Sequence, residues 1–223
     1  MVKAVVFDLD DTLISEKQYV ESGFHHISKL MNSQYDISEE FVFNDLMNLF
    51  RESSKNVFNR LLNSYEIESK NEKVVELVAE YRNHQPEISF YSDVLPYIEH
   101  LKSLGIKIGI ITDGYAVTQR KKLEAVQAYD YFDEIIITDE LGQEFSKPHN
   151  KSFEIMREKL KVEFDEMVYV GDNPEKDFYI SSIHPLITVR INRCGIYADK
   201  DYHMGVKELV SIKELSNLDS IIK

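Results

Sequence analysis

The chain has one cysteine, Cys194, among 223 residues. A lone thiol allows no intrachain disulfide framework and no cysteine-based zinc cluster. Its neighbours Arg193 and Gly195 form no reactive motif, so an inert thiol near a strand end is expected. Apolar runs are also short: no window approaches the ~20 residues of a membrane span. The stretch that opens Met1-Val2-Lys3 reaches aspartates by Asp8, too soon for the apolar region of a signal peptide. A reducing, cytoplasmic setting without a membrane partner is the expectation. Positive charge is scarce too. Lys and Arg number 26 against 39 Asp and Glu, for a net charge of −13. That balance argues against nucleic acid as a partner and against an anionic membrane surface. There is no Gly-rich loop of the P-loop or dinucleotide type, so nothing supports use of ATP or NAD.

What is present is an ordinary soluble composition, 43% hydrophobic and 29% charged, which excludes disorder, collagen and coiled coil. The length fits one large domain or a core with a smaller companion. Five short β-branched or aromatic runs stand out: Ala4–Phe7, 106–111, Glu134–Ile137, 167–170 and 186–191. Several are apolar at consecutive positions, the pattern of strands covered on both faces. Between them lie helical spacings, such as Val94, Ile98 and Leu101, or Phe153, Met156 and Leu160. Strand–helix alternation predicts an α/β fold, a Rossmann-like parallel sheet with right-handed crossovers. Gly105 suits a helix C′ position, and the tail after Gly205 reads as a last strand–helix pair.

Residues 15–88 break the alternation. They show only helical patterning, with Ser38 opening one helix and 72–81 forming another. This predicts an inserted helical domain, leaving a core of 1–14 and 89–223. Its exits, near Leu13-Ile14 and 87–91, would be two adjacent hinge strands.

Ligands of an open parallel sheet bind beyond the carboxyl ends of its strands. Those ends carry Asp8-Leu9-Asp10-Asp11-Thr12, then Thr112-Asp113-Gly114, then Gly171-Asp172-Asn173-Pro174 and Asp177, with Lys147 ahead of a later helix. Singly, each aspartate could be a turn or cap residue, and a lone lysine is usually solvated. Together, Asp8, Asp10 and Asp172 would repel one another unless a divalent cation sat among them. Oxygen-only ligands suit Mg2+.

The ordered set Asp8-x-Asp10-x-Thr12, Thr112, Lys147 and Gly171-Asp172-x4-Asp177 resembles the four motifs of the haloacid dehalogenase (HAD) superfamily. The resemblance covers the core, and 15–88 is similar to that superfamily's C1-type helical cap. It implies a phosphatase-type enzyme in which Asp8 is the nucleophile and forms an aspartyl-phosphate. Asp10 would act as general acid and base, its backbone carbonyl also binding magnesium. Thr112 and the Asp113 or Gly114 amide would hold the phosphoryl oxygens, and Lys147 would neutralise phosphate charge. Asp172 would complete the metal ligands, with Asp177 bonding the metal's water shell or Lys147. Family dehalogenases lack the second acid, so Asp10 favours a phosphoester over a halide. A phosphomutase, or another activity of the superfamily, is the alternative among enzymes. A receiver-like phospho-accepting domain is the alternative from another class, though it has no use for the helical insert.

The implied substrate is a small phosphorylated metabolite, a nucleoside monophosphate or a sugar phosphate, handled by a monomer or weak dimer. Asp113 is expected to turn away from the site and cap the helix starting near Ala116. Asn173-Pro174 reads as another helix start. Arg120, Lys121 and Lys122 read as a solvated face. His25 and His26, on the insert's first helix, and His149 read as solvated or core residues. The insert's aromatics, Tyr19, Phe24, Phe41, Phe43, Phe50 and Phe58, read chiefly as core, with a subset near 16–24 free to line a leaving-group pocket.

Overall fold

The computed structural model describes residues 1–68, 71–193, 197 and 200–222. The chain divides into two compact units, Met1–Glu16 with Ser89–Lys223, and Lys17–Ile88. In chain order the elements begin with β1 (Ala4–Phe7), α1 (Glu16–Tyr35), α2 (Glu39–Glu52), α3 (Val57–Ser64) and α4 (Asn71–Asn83). There follow α5 (Val94–Ser103), β2 (Lys107–Thr112), α6 (Ala116–Ala125), β3 (Glu134–Ile137) and α7 (Lys151–Leu160). The chain then forms β4 (Met167–Gly171), β5 (Ile187–Ile191), β6 (Val210–Ile212) and α8 (Asp219–Ile222).

The larger unit is a six-stranded, all-parallel sheet in the order β3-β2-β1-β4-β5-β6. Every residue of β1 and β4 is buried, as their unbroken apolar runs require. Val5 stands between Ile108 of β2 and Val168 of β4. One face packs on α7, whose Phe153, Met156 and Leu160 join Val6, Ile111 and Tyr169 in a single cluster. Each such side chain contributes about 1.5–3 kcal/mol when fully buried. Gly105, just past α5, has φ +74°, the left-handed conformation that ends a helix and turns the chain into β2. The strand order reverses at β1 and β4, so the crevice beyond their carboxyl ends is where an α/β sheet places a ligand.

One expectation about this unit needs correction. No α-helix begins at Asn173-Pro174; residues 174–176 form one turn, and a short 3₁₀ segment, Tyr179–Ser182, follows. The reason is local, since the Asp177 carboxylate folds back on the Asn173 N–H at 2.9 Å and is then held by Lys147. In the sheet unit the Leu13 carbonyl accepts the Tyr91 N–H at 2.9 Å, and Ile14 bridges Phe90, so the chain leaves and re-enters side by side.

The second unit is helical. Val20, Phe24, Ile27 and Met31 of α1 bury against Val42 and Leu46 of α2, Leu61 and Leu62 of α3, and Leu77 of α4. Phe41, read as core, is instead 67% exposed. The buried stripe of α2 runs through Val42 and Leu46, and Phe41 lies one residue, about 100° of helical rotation, off it. Among the described residues no helix is long and apolar enough to cross a membrane.

Candidate active site

Asp8 follows directly on β1, and its N–H continues the ladder to the Val170 carbonyl at 2.8 Å. That bond points its carboxylate into the crevice, where it is buried. The Lys147 ammonium lies 2.8 Å from Asp8 Oδ1, 2.8 Å from Asp177 Oδ1 and 2.8 Å from the Tyr169 hydroxyl. Tyr169 in turn donates to Asp177 at 3.2 Å. The Lys147 side chain is fully buried. Burial alone would lower its pKa, but Asp177 and Asp8 outweigh that and raise it well above the ordinary value, so the group stays charged.

The loop after β2 supports this lysine. Asp113 Oδ1 accepts the Lys147 backbone N–H at 3.1 Å and the Thr138 hydroxyl at 2.7 Å, and Lys176 lies 3.4 Å from Oδ2. Burial pushes the Asp113 carboxyl up, but Lys147 and Lys176 more than compensate and hold it below the usual range. Asp113 therefore does not cap the helix at Ala116. Asp139 does, its Oδ2 accepting the Ala116 N–H at 2.9 Å. Asp113 is turned instead to Lys147 and Lys176, whose positive charge stabilises its carboxylate.

Asp172 follows β4, and its carboxylate joins those of Asp8 and Asp177, with ligand atoms all within 4.8 Å of one another. Burial, then the charges of Asp177, Asp8 and Asp11, push Asp172 up to about 9. Burial also raises Asp8, against the pull of Lys147, to about 6. Three buried carboxylates this close, with one ammonium on only two of them, form a donor set short of positive charge. Hard oxygen ligands of that kind fit a divalent cation such as Mg2+. The converging carboxylates are Asp8, Asp172 and Asp177, whereas the sequence pointed to Asp8, Asp10 and Asp172. Gly171 makes room for this: a Cβ there would lie 2.5 Å from Asp177 Oδ2.

The Asp10 carboxylate is directed elsewhere. Its Oδ2 accepts from Gln119 Nε2 at 2.9 Å and its Oδ1 from Lys122 Nζ at 2.7 Å. Gln119 also bonds Thr112 Oγ1 at 2.6 Å, which ties the two motif residues together. Lys122 reaches Glu16 Oε2 at 2.5 Å. Burial would raise Asp10, but Lys122 and its hydrogen-bond partners hold it below the usual carboxylate range. Glu16 is pushed up by burial and by the charge of Asp10 to about 8. Lys122 thus corrects the reading of a solvated basic face: its side chain is 2% exposed, while Arg120 pairs with Glu140 at the surface. The missed residues are Gln119, Lys122, Glu16, Tyr169 and Lys176. One signal was available, because Gln119, Lys122 and Leu123 fall on the buried face of α6.

The histidines singled out in the sequence make other contacts, each within its own unit. His25 stacks on Phe43 with ring centroids 3.9 Å apart, and His26 lies 2.9 Å from Glu80, both within the helical unit. His149 Nδ1 accepts the Lys151 N–H at 3.1 Å ahead of α7. Cys194 falls outside the described residues.

The family model for haloacid dehalogenase-like hydrolases matches residues 5–182, from β1 to beyond Asp177. The chain belongs to that family. Within it, the chain is 33% identical to a glyceraldehyde 3-phosphate phosphatase of Methanopyrus kandleri, over 90% of this chain and 88% of that one. It is 29% identical to the enzyme of the same name from Methanocaldococcus jannaschii, over 95% and 97% of the two chains. A solved HAD phosphatase from Thermococcus onnurineus matches with a TM-score of 0.62 and 27% identity, covering 99% of this chain and 98% of that one. The chain is a phosphatase-type HAD enzyme.

Proposed function

We propose that this HAD enzyme is a Mg2+-dependent phosphomonoesterase acting on a small sugar phosphate of the triose phosphate class, through a phosphoryl group carried on Asp8. The observation that carries the reading is Lys147, buried and bonded to Asp8 Oδ1 and Asp177 Oδ1 at 2.8 Å each. It occupies one oxygen of Asp8 and leaves Oδ2 as the nucleophile. The similarity to glyceraldehyde 3-phosphate phosphatases supports the substrate class. Residues 17–88 would serve as the C1-type cap, the part that selects the leaving group.

In the proposed reaction Asp8 Oδ2 attacks phosphorus in line with the ester oxygen. The bond from phosphorus to that oxygen breaks, and Asp10 gives it a proton. Asp10 then takes a proton from water as the water oxygen attacks phosphorus, the bond to Asp8 breaks, and phosphate leaves. Thr112 Oγ1 already accepts from Gln119, so its own proton is available for a phosphoryl oxygen. The Asp113 or Gly114 amide would hold another. Lys147 steadies Asp8 and supplies charge, not a free donor, because its three N–H groups are taken. Asp8, Asp172 and the Asp10 carbonyl would hold Mg2+, with Asp177 supporting, and the ion would offset the charge of the transferring group.

Phosphate release would be measured with glyceraldehyde 3-phosphate, a hexose phosphate, a nucleoside monophosphate and an aryl phosphate, with Mg2+ or a chelator. The sugar phosphates are expected to be the best substrates, chelation to abolish turnover, and Asp8→Asn to lower it by about a thousandfold or more. Equal rates for wild type and Asp8→Asn, or no release from any ester, would overturn the reading.

A further inference from the structure

Asp10 is held more tightly than a solvent-facing general acid requires, and by residues outside the four family motifs. Each of its oxygens is bonded by a different side chain, Oδ1 by Lys122 at 2.7 Å and Oδ2 by Gln119 at 2.9 Å. Both donors come from the same face of α6, three residues apart. Rotation of the carboxyl about its own bond would break both contacts at once. Lys122 and Gln119 are themselves buried, at 2% and 1% exposure. Lys122 is also bonded by Glu16, at 2.5 Å, and the Glu16 carboxyl itself lies against that of Asp10. Glu16 is placed in turn by its N–H, which bonds Asp11 Oδ1 at 3.1 Å. The amide of Gln119 serves Thr112 Oγ1 as well, at 2.6 Å. A carboxylate offers about four lone-pair positions, so Lys122, Gln119 and Glu16 still leave room for the proton that Asp10 must carry.

We propose that Lys122, braced by Glu16, and Gln119 are positioning residues for Asp10, fixing its carboxyl for proton transfer to and from the leaving oxygen. They neither gain nor lose a proton, and they touch no reacting atom. The inference rests on the phosphoesterase reading above. A buried ion pair kept only for stability would sit equally well anywhere in the unit. This one closes on the acid and, through Gln119, on the threonine beside it.

The distinguishing readout is dependence on the leaving group. An activated aryl phosphate needs little protonation as it departs, whereas an alkyl phosphate needs a full proton. A general acid contributes about 10²–10⁴-fold, so Lys122→Met is expected to lose about tenfold or more on an alkyl phosphate. The same variant should stay within about threefold on the aryl ester, with KM little changed on both. In an Asp10→Asn background it should cause no further loss, since the residue it positions is already gone. Lys122→Arg should recover much of the alkyl activity. Gln119→Leu removes the other contact without unpairing a buried charge, but it also frees Thr112, so if Lys122→Met fails to fold it should show a loss shared by both esters and a several-fold larger loss on the alkyl phosphate.

A uniform loss on both esters, or a full additional loss in the Asp10→Asn background, would overturn the positioning role while leaving the phosphoesterase reading intact. A wild-type protein that hydrolyses no phosphoester would overturn both.

Discussion

Lys147 has three N–H donors, and Asp8, Tyr169 and Asp177 take all of them. Among the described residues Asp172 has no ion pair of its own beside these two carboxylates, and the charge of Lys176 only partly offsets theirs. This makes stability depend on pH. Asp172 lies at about 9 in the folded protein against an ordinary 3.8, so the native state binds that proton more tightly than the unfolded chain. Its contribution to stability is complete below about pH 4 and is lost as pH rises towards 9. Asp8, raised to about 6, acts in the same direction over a narrower window. Chelated protein should therefore lose stability between about pH 5 and 9 in urea melts. Mg2+ should restore it, by more at pH 8 than at pH 5, because the ion competes with the Asp172 proton. An equal Mg2+ effect at both pH values would contradict the assignment of these carboxylates to a cation.

At the scale of elements, the strands were legible because a two-face-buried parallel strand is simply a short apolar run. β1 and β3 have the boundaries read from the sequence, and β2 and β4 are displaced by one residue or extended by one. The strand ends were legible for the same reason: a polar residue after such a run has only the crevice to enter. What could not be read is which side chain reaches which. The helix expected at Pro174 gave way to a turn, because the preference of proline for a first helical turn is weaker than the pull of Lys147 on Asp177. Lys122 was misread since charge beside Arg120 and Lys121 implies a wet face, and only the fold reveals two carboxylates beneath it. Gly171 tests how the strand end builds the site. Its missing Cβ would lie 2.5 Å from Asp177 Oδ2, so Gly171→Ala must displace that carboxylate while the sheet stays paired. Displacement by about an ångström typically costs on the order of a hundredfold in rate, and kcat should fall accordingly with the circular dichroism spectrum unchanged. Unaltered kcat would mean that Asp177 has no part in the chemistry.

For the whole molecule, the charge of −13 is compatible with an anionic substrate because it is a sum over the chain. The substrate would meet a crevice in which Lys147, Lys176 and a bound cation dominate locally. Residues 15–88 lack any strand pattern in the sequence, and the chain divides into the compact units Met1–Glu16 with Ser89–Lys223 and Lys17–Ile88. The central proposal is that Asp8 carries the phosphoryl group during turnover. Its most direct test is to quench the enzyme in acid during steady turnover of glyceraldehyde 3-phosphate and map the phosphorylated peptide. The expected result is one phosphoryl group on Asp8, stable to acid, released by hydroxylamine as an acyl phosphate must be, and absent from Asp8→Asn. Turnover with no label on Asp8, or with the label on another residue, would contradict it.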